Sequence, residues 1–125
     1  MDKVKVVIVD DEKEYVKDLA KGLEIMGYEV FSATNGIDAI GLINSKKPDA
    51  VLCDYKLEDM DGTQVIETTK SANPHTVYIL VTAYYDESFN EIFRKAGADQ
   101  IVYKPIQFTD IDGTIRKSLG KRASA

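Results

Sequence analysis

One cysteine, Cys53, serves the whole chain, so no internal disulfide can form and nothing favours an oxidising compartment. It sits in the apolar run "AVLCD", where a small buried thiol is expected. Long hydrophobic stretches are missing as well. No run approaches the roughly 20 apolar residues of a membrane span, and the N-terminus lacks the charged-then-apolar order of a signal peptide. A soluble, cytoplasmic protein with no membrane partner is the expectation. Positive charge is also scarce: 16 Lys and Arg against 21 Asp and Glu leave a net charge of −5. That balance argues against direct nucleic-acid binding, since a phosphate backbone rewards clustered cations. The late basic stretch "RKSLGKR" suits the carboxyl end of a helix through the helix dipole alone. No linker, low-complexity tract or sequence repeat interrupts the 125 residues, a length that supports one buried core and not two. A single domain over residues 1–125 is expected.

What the chain does have is rhythm. Runs suited to buried strands recur at "VKVVIV" (4–9), "YEVFSA" (28–33), "DAVLC" (49–53), "TVYILV" (76–81) and "QIVY" (100–103). Amphipathic stretches separate them. Val16, Leu19, Ala20, Leu23 and Met26 follow helical spacing, with Gly27 placed as a C-terminal cap. Similar stripes are Ile37, Ile40 and Ile43; Val65, Ile66 and Thr69; Phe89, Ile92, Phe93 and Ala96, stopped by Gly97; and Ile111, Ile115 and Leu119, with Gly113 inside the last. Strand and helix alternate to the end, which predicts an α/β fold with parallel strands, right-handed crossovers and helices on both faces. In such a sheet the carboxyl ends of the strands share one edge, where ligands bind.

The residues at the strand ends carry the chemistry. They are Asp10 and Asp11 after the first, Asp54 after the third, Thr82 after the fourth and Lys104 after the fifth. Taken singly, each has a bland role: a turn and helix cap for the aspartate pair, a strand end for Thr82, a surface turn for Lys104 before Pro105. Asp54 is harder to dismiss, because a carboxylate directly after "AVLC" is costly unless paired, solvated or ligating. Together, three carboxylates, a hydroxyl and a lysine supply oxygens for a hard divalent ion, a nucleophile and two donors for an anion. Magnesium commonly uses one or two carboxylates and keeps several waters, and phosphoryl transfer suits the set.

These motifs, "VDDE" (9–12), "LCDYKLEDMDG" (52–62), "VTAY" (81–84) and "AGADQIVYKP" (96–105), resemble those of the response-regulator receiver domain, the phospho-accepting module of two-component signalling. The resemblance covers essentially the whole chain. It implies a doubly wound sheet of order 2-1-3-4-5 with five helices, flavodoxin-like and CheY-like. It implies that Asp54 accepts a phosphoryl group from a histidine kinase or histidine phosphotransfer protein, with no turnover enzyme activity. Asp11, Asp54 and the backbone carbonyl of Lys56 would ligate Mg2+ (or Mn2+), with Asp10 acting mostly through water. Lys104 would pair with Asp54 and then with the phosphoryl oxygens, joined there by the Thr82 hydroxyl. The Lys104–Pro105 bond would be cis, Gly62 would open the third helix, and the face of the fourth helix, fifth strand and fifth helix would switch.

The chain departs from the family pattern in places. Glu58 stands where a proline is common, which predicts a looser loop. Ile101 replaces the switch aromatic, and Tyr103, on the same sheet face but farther along, is no simple substitute. Lys56 and Tyr84 flank the expected path of a hydrolytic water, a pair shared with a sporulation phosphorelay intermediate. Ile25, Tyr84, Tyr85 and Tyr103 are candidate partner contacts, and His75 reads as an ordinary loop residue. After the last helix "KRASA" reads as a short polar tail, with no output domain recognisable. Two other classes also build on a parallel sheet. A haloacid-dehalogenase-type phosphatase needs a second aspartate where Lys56 stands, and a flavodoxin-like binding module needs a phosphate-cradling loop where the chain has "VDDEKEY".

Overall fold

Every apolar run forms a strand and every amphipathic stretch a helix. The computed structural model describes residues 3–84 and 86–124, with backbone alone for 121–124. In chain order the elements are β1 (Lys5–Val9), α1 (Lys13–Ile25), β2 (Glu29–Ala33), α2 (Gly36–Lys46), β3 (Ala50–Asp54), α3 (Gly62–Thr69), β4 (Val77–Thr82), α4 (Glu87–Ala96), β5 (Gln100–Tyr103) and α5 (Phe108–Ser124). Strand bounds slide by one residue at several ends, so Asp54 and Thr82 close β3 and β4 from within. All neighbours pair in parallel, in the order β2-β1-β3-β4-β5.

The pleat sorts the core into two layers. Val6, Ile8, Leu52, Ile79 and Val81 point to one face and meet Val16, Leu19 and Leu23 of α1 with Ile111 and Ile115 of α5. Val7, Val9, Val51, Tyr78 and Leu80 point to the other and meet Ala39 and Ile43 of α2, Val65 and Ile66 of α3, and Phe93 of α4. Each such aliphatic side chain contributes about 1.5–3 kcal/mol on burial, so the three inner strands form the rigid base of the molecule. Continuous burial holds for β1, β3 and β4 alone. The edge strands β2 and β5 are largely half-exposed.

Two stripes rotate away from their expected faces. In α2 the buried face is Gly36, Ala39 and Ile43, which leaves Ile37 exposed. In α4 it is Phe93 and Ala96 with Phe89 half-buried, and Ile92 turns to solvent. Counting only large apolar residues in α2 misses Ala39, a small buried residue that lets the helix lie close to the sheet. Gly27 (φ 101) and Gly97 (φ 114) end α1 and α4 in the left-handed region, as their spacing predicts. Gly113 does not interrupt α5, whose backbone continues through part of the expected polar tail to Ser124. Among the described residues no helix is long and apolar enough to cross a membrane.

Candidate functional site

Chain order reverses between β1 and β3, the place where a crevice opens at the carboxyl ends of the strands. Asp10 and Asp11 lie just past β1, Asp54 ends β3, Thr82 ends β4 and Lys104 comes directly after β5. Short backbone bonds tie these ends together: the Asp10 amide donates to the Ala33 carbonyl at 3.2 Å, the Tyr55 amide to Val81 at 3.1 Å and the Lys104 amide to Thr82 at 2.8 Å. The site is therefore framed by the sheet itself.

One ligand atom from each of Asp10, Asp11 and Asp54 lies within 4.8 Å of the others. Lys104 reaches across with Nζ 2.9 Å from Asp10 Oδ2 and 3.3 Å from Asp54 Oδ2. Lys104 thus meets Asp54, the partner that the resemblance implies, and bonds more closely to Asp10. Asp10 is 2% exposed, and a carboxylate so buried requires a counter-charge. Its other oxygen accepts the Glu12 amide at 2.9 Å, so Asp10 also holds the turn into α1. The bland role and the chemical one coexist in one side chain.

Burial pushes the Asp54 carboxyl up to about 6, with Lys104 drawing it down and the Asp10 charge adding to the rise. Burial alone would lower Lys104, but its hydrogen bond to Asp10 and the charges of Asp54 and Asp10 outweigh that and raise it. One ammonium thus bridges two of three clustered carboxylates, a surplus of negative charge that suits a hard divalent cation. Tyr15 completes the floor of the site, its ring centroid 5.3 Å from Lys104 Nζ and its hydroxyl buried with no hydrogen-bond partner. No motif or spacing in the sequence singles out Tyr15, although it lies one helical turn before Leu19 on the buried side of α1. The thiol of Cys53, beside Asp54, is fully buried and raised by that burial, as its apolar setting predicts.

The loop from Tyr55 to Asp61 is closed, not loose, despite Glu58. The Gly62 amide donates to the Tyr55 carbonyl at 2.6 Å and the Leu57 amide to Met60 at 3.2 Å, around an antiparallel Lys56–Asp61 bridge. In that pairing the bonds run through the neighbours of Lys56, which leaves its carbonyl out of the ladder and open to a ligand. A Cβ at Gly62 would collide with the Asp54 carbonyl, so only glycine opens α3 here. The Lys104–Pro105 bond is cis.

Thr82 is fully buried, and its Oγ1 accepts the Tyr84 amide at 3.0 Å. The Tyr84 ring, 45% exposed, meets Tyr55 edge-on at 5.8 Å and Phe89 at 5.8 Å. Tyr55 in turn packs on Phe93 at 4.8 Å. Lys56 stands over the Tyr55 ring, with Nζ 3.2 Å from Asp61. Ile101 packs half-buried on the α2–α4 side of the sheet. The Tyr103 hydroxyl donates to Asn90 Oδ1 of α4 at 2.6 Å. Ile25 is 82% exposed at the end of α1. His75 precedes β4 at the opposite edge of the sheet, and Tyr85 lies outside the described residues.

Comparison with known proteins agrees with this geometry. The family model for the response regulator receiver domain matches residues 6–116. Transcriptional regulatory protein ZraR of Salmonella typhimurium is 32% identical over 117 residues, which are 94% of this chain and 26% of the relative, so the chain spans about a quarter of that protein's length. Sporulation initiation phosphotransferase F of Bacillus subtilis is 30% identical over 115 residues, 92% of this chain and 93% of the relative. A receiver domain protein (CheY-like) from Methanospirillum hungatei superposes with a TM-score of 0.91 at 30% identity, covering 98% of each chain.

Proposed function

Because the chain belongs to the response regulator receiver domain family of two-component signalling, we propose that its acid edge accepts a phosphoryl group on Asp54, with residues 1–125 acting as one receiver unit. The observation that carries this reading is the convergence of three carboxylates within 4.8 Å, two of them bridged by one lysine. Asp11, Asp54 and the Lys56 carbonyl would hold Mg2+, with Asp10 beside them. The ion, when bound, supplies positive charge to oxygens that would otherwise repel one another.

A carboxylate oxygen of Asp54 attacks phosphorus of a phosphohistidine, the P–N bond breaks, and its electron pair returns to the imidazole. Nucleophile and phosphoryl group are both anionic, so the transfer needs cationic donors preset at the shared oxygens. Lys104 already lies at the Asp54 carboxylate and turns to those oxygens. Thr82 accepts from the Tyr84 amide, which leaves its own proton for the phosphoryl group. The role is that of an acceptor for a histidine kinase or phosphotransfer protein, not of a turnover catalyst, and a cytoplasmic location goes with it.

Transfer adds about two negative charges and three strong acceptors at this edge. When Thr82 moves toward them, the Tyr84 amide loses its acceptor. The Tyr84 ring, seated on Tyr55 and Phe89, carries that movement to α4, a route that does not need an aromatic residue at 101. Incubation with acetyl phosphate and Mg2+ should add one phosphoryl group to the wild type and none to Asp54→Ala. Undiminished labelling of the variant would overturn the assignment.

A second reading concerns the fate of the phosphoryl group once it is on Asp54. The chain matches nearly the full length of a sporulation phosphotransferase, which favours a relay role in which Asp54 passes the group to another histidine. A relay requires that the phosphorylated form outlast the encounter with its next partner, and the lifetime of phospho-Asp54 is the test.

A further inference from the structure

We infer that Asp59 is a positioning residue for the divalent cation: by gripping the first turn of α2, it holds the loop that presents the Lys56 carbonyl. The inference rests on the metal site proposed for Asp11, Asp54 and Lys56.

A carbonyl ligand is useful only if its loop cannot drift. The loop's internal bonds fix its shape, but its place relative to the sheet needs ties outside it. Leu57 is buried in the core on the α2–α4 side. Asp59 supplies a second tie, with Oδ1 accepting the Gly36 amide at 2.8 Å and Oδ2 the Ile37 amide at 3.0 Å. Met60 supplies a third, because its side chain occupies the space that a Cβ on Gly36 would need.

The grip is more than a local helix cap. Asn35 already caps α2, its Oδ1 accepting the Asp38 amide at 2.8 Å. Asp59 comes from 23 residues further along the chain and takes the Gly36 and Ile37 amides, which that cap leaves free. Carboxylate oxygens on the exposed amides of a helix N-terminus are charge-assisted bonds favoured by the helix dipole, and they hold the Asp59 carboxyl below its usual range. Ala39 and Ile43 fix α2 itself to the sheet. The loop is thus pinned to the rigid body from outside, at the position next to Glu58, where no proline ring fixes the backbone from within.

The test is calorimetric titration of the full chain with MgCl2, beside thermal unfolding without metal. Asp59→Ala should weaken Mg2+ binding about ten-fold, the low end of what hydrogen-bonding neighbours of metal ligands contribute. Asp59→Asn, which keeps one acceptor, should lose less. Gly36→Ala forces Met60 out from the α2 side without substituting a loop residue, and should weaken binding as well. If Asp59→Ala and Gly36→Ala lower the unfolding midpoint but keep wild-type Mg2+ affinity, Asp59 only caps a helix and the inference falls. Should Asp59→Ala fail to fold, Asp59→Asn and Gly36→Ala decide the matter by the same criterion. Asp11→Ala separates the two levels. If it abolishes binding while the Asp59 and Gly36 variants do not change it, the inference alone fails. Unchanged binding in Asp11→Ala removes the metal site and the inference together.

Discussion

Aspartates at the carboxyl edge of the sheet live under different terms from those elsewhere. Toward the amino ends of the strands, Asp49 accepts the Lys5 amide at 2.9 Å and Asp99 the Tyr78 amide at 2.8 Å. On α5, Asp112 accepts the Tyr28 hydroxyl at 2.6 Å and Arg116 Nε at 3.0 Å. Each of these carboxylates has donors of its own and fastens one element to another. At the carboxyl edge, Asp10, Asp11 and Asp54 crowd together, and a single ammonium, that of Lys104, bridges Asp10 and Asp54. In the one region each carboxylate fastens its own pair of elements, whereas in the other Asp10 and Asp54 share one lysine and lie within ligand distance of Asp11. A site that must receive a cation and an anion cannot also be fully neutralised beforehand.

The most severe way to break that contrast is Lys104→Met. The variant removes the one cation from the crowded edge and leaves Asp10 buried without it. Breaking a buried pair from one side costs about 3–5 kcal/mol, and denaturant unfolding in metal-free buffer should show a loss of that order. Added Mg2+ should restore part of it, since a bound cation stabilises the folded state by mass action. An unchanged midpoint would mean that the carboxylates are already solvated, and the contrast between the regions would disappear.

Next in size is Asp112→Asn, which tests the other side of the comparison. A buried hydrogen bond to a charged group contributes about 1.5–3 kcal/mol, so a loss near the lower figure is expected at neutral pH. The Tyr28 hydroxyl, followed by Arg116, holds the Asp112 carboxyl below its ordinary 3.8. With the folded value depressed, the unfolded chain binds more protons between the two values. The contribution is therefore complete above about 4, and it is lost as pH falls through the lower folded value. The gap between wild type and variant should close in that acid window and stay constant from about pH 5 to 8. A gap that persists undiminished at the lowest pH would show that the amide disturbs packing and that the ionised carboxylate is not the source.

These two regions were also legible in the sequence to different degrees. Asp10, Asp11, Asp54, Thr82 and Lys104 could be found because strand ends are visible as the ends of apolar runs, and parallel topology then brings them to one edge. Asp59, Tyr15 and Asp112 could not, because each acts on a partner distant in the chain: Gly36 and Ile37, Lys104, and Tyr28. No local pattern marks such a pair before the elements are packed. Ile37 and Ile92 were misplaced for a related reason, since the face a helix buries is set by how closely its small residues approach the sheet. The looser loop expected from Glu58 failed because the loop is fixed by bonds to Tyr55, Met60 and α2, and not by the residue that departs from the pattern.

The smallest expected effect is on a rate, and it bears on how open the carboxyl edge is to water. Hydrolysis of the phosphoryl group on Asp54 needs a water in line behind phosphorus. The side chains two residues after Asp54 and two after Thr82 are Lys56 and Tyr84, both gathered around the Tyr55 ring. Neither offers an acid or amide that would hold and aim a water. Lys56 is drawn toward Asp61, and the Tyr84 ring is engaged by Tyr55 and Phe89, so under the relay reading the pair would screen by bulk and not orient. Correct placement of reactants is worth several kcal/mol in favourable cases, up to about 7–11, and restoring a small part of it should be visible. The double variant Lys56→Asn, Tyr84→Glu places an amide and an acid at these positions. Its phosphorylated form should decay about ten-fold faster than the wild type, a barrier change of about 1.4 kcal/mol, with phosphorylation itself still confined to Asp54. Decay measured by loss of label at fixed Mg2+ checks this. If the two proteins decay alike, Lys56 and Tyr84 do not govern the approach of water, and the relay reading loses the physical basis that these residues give it.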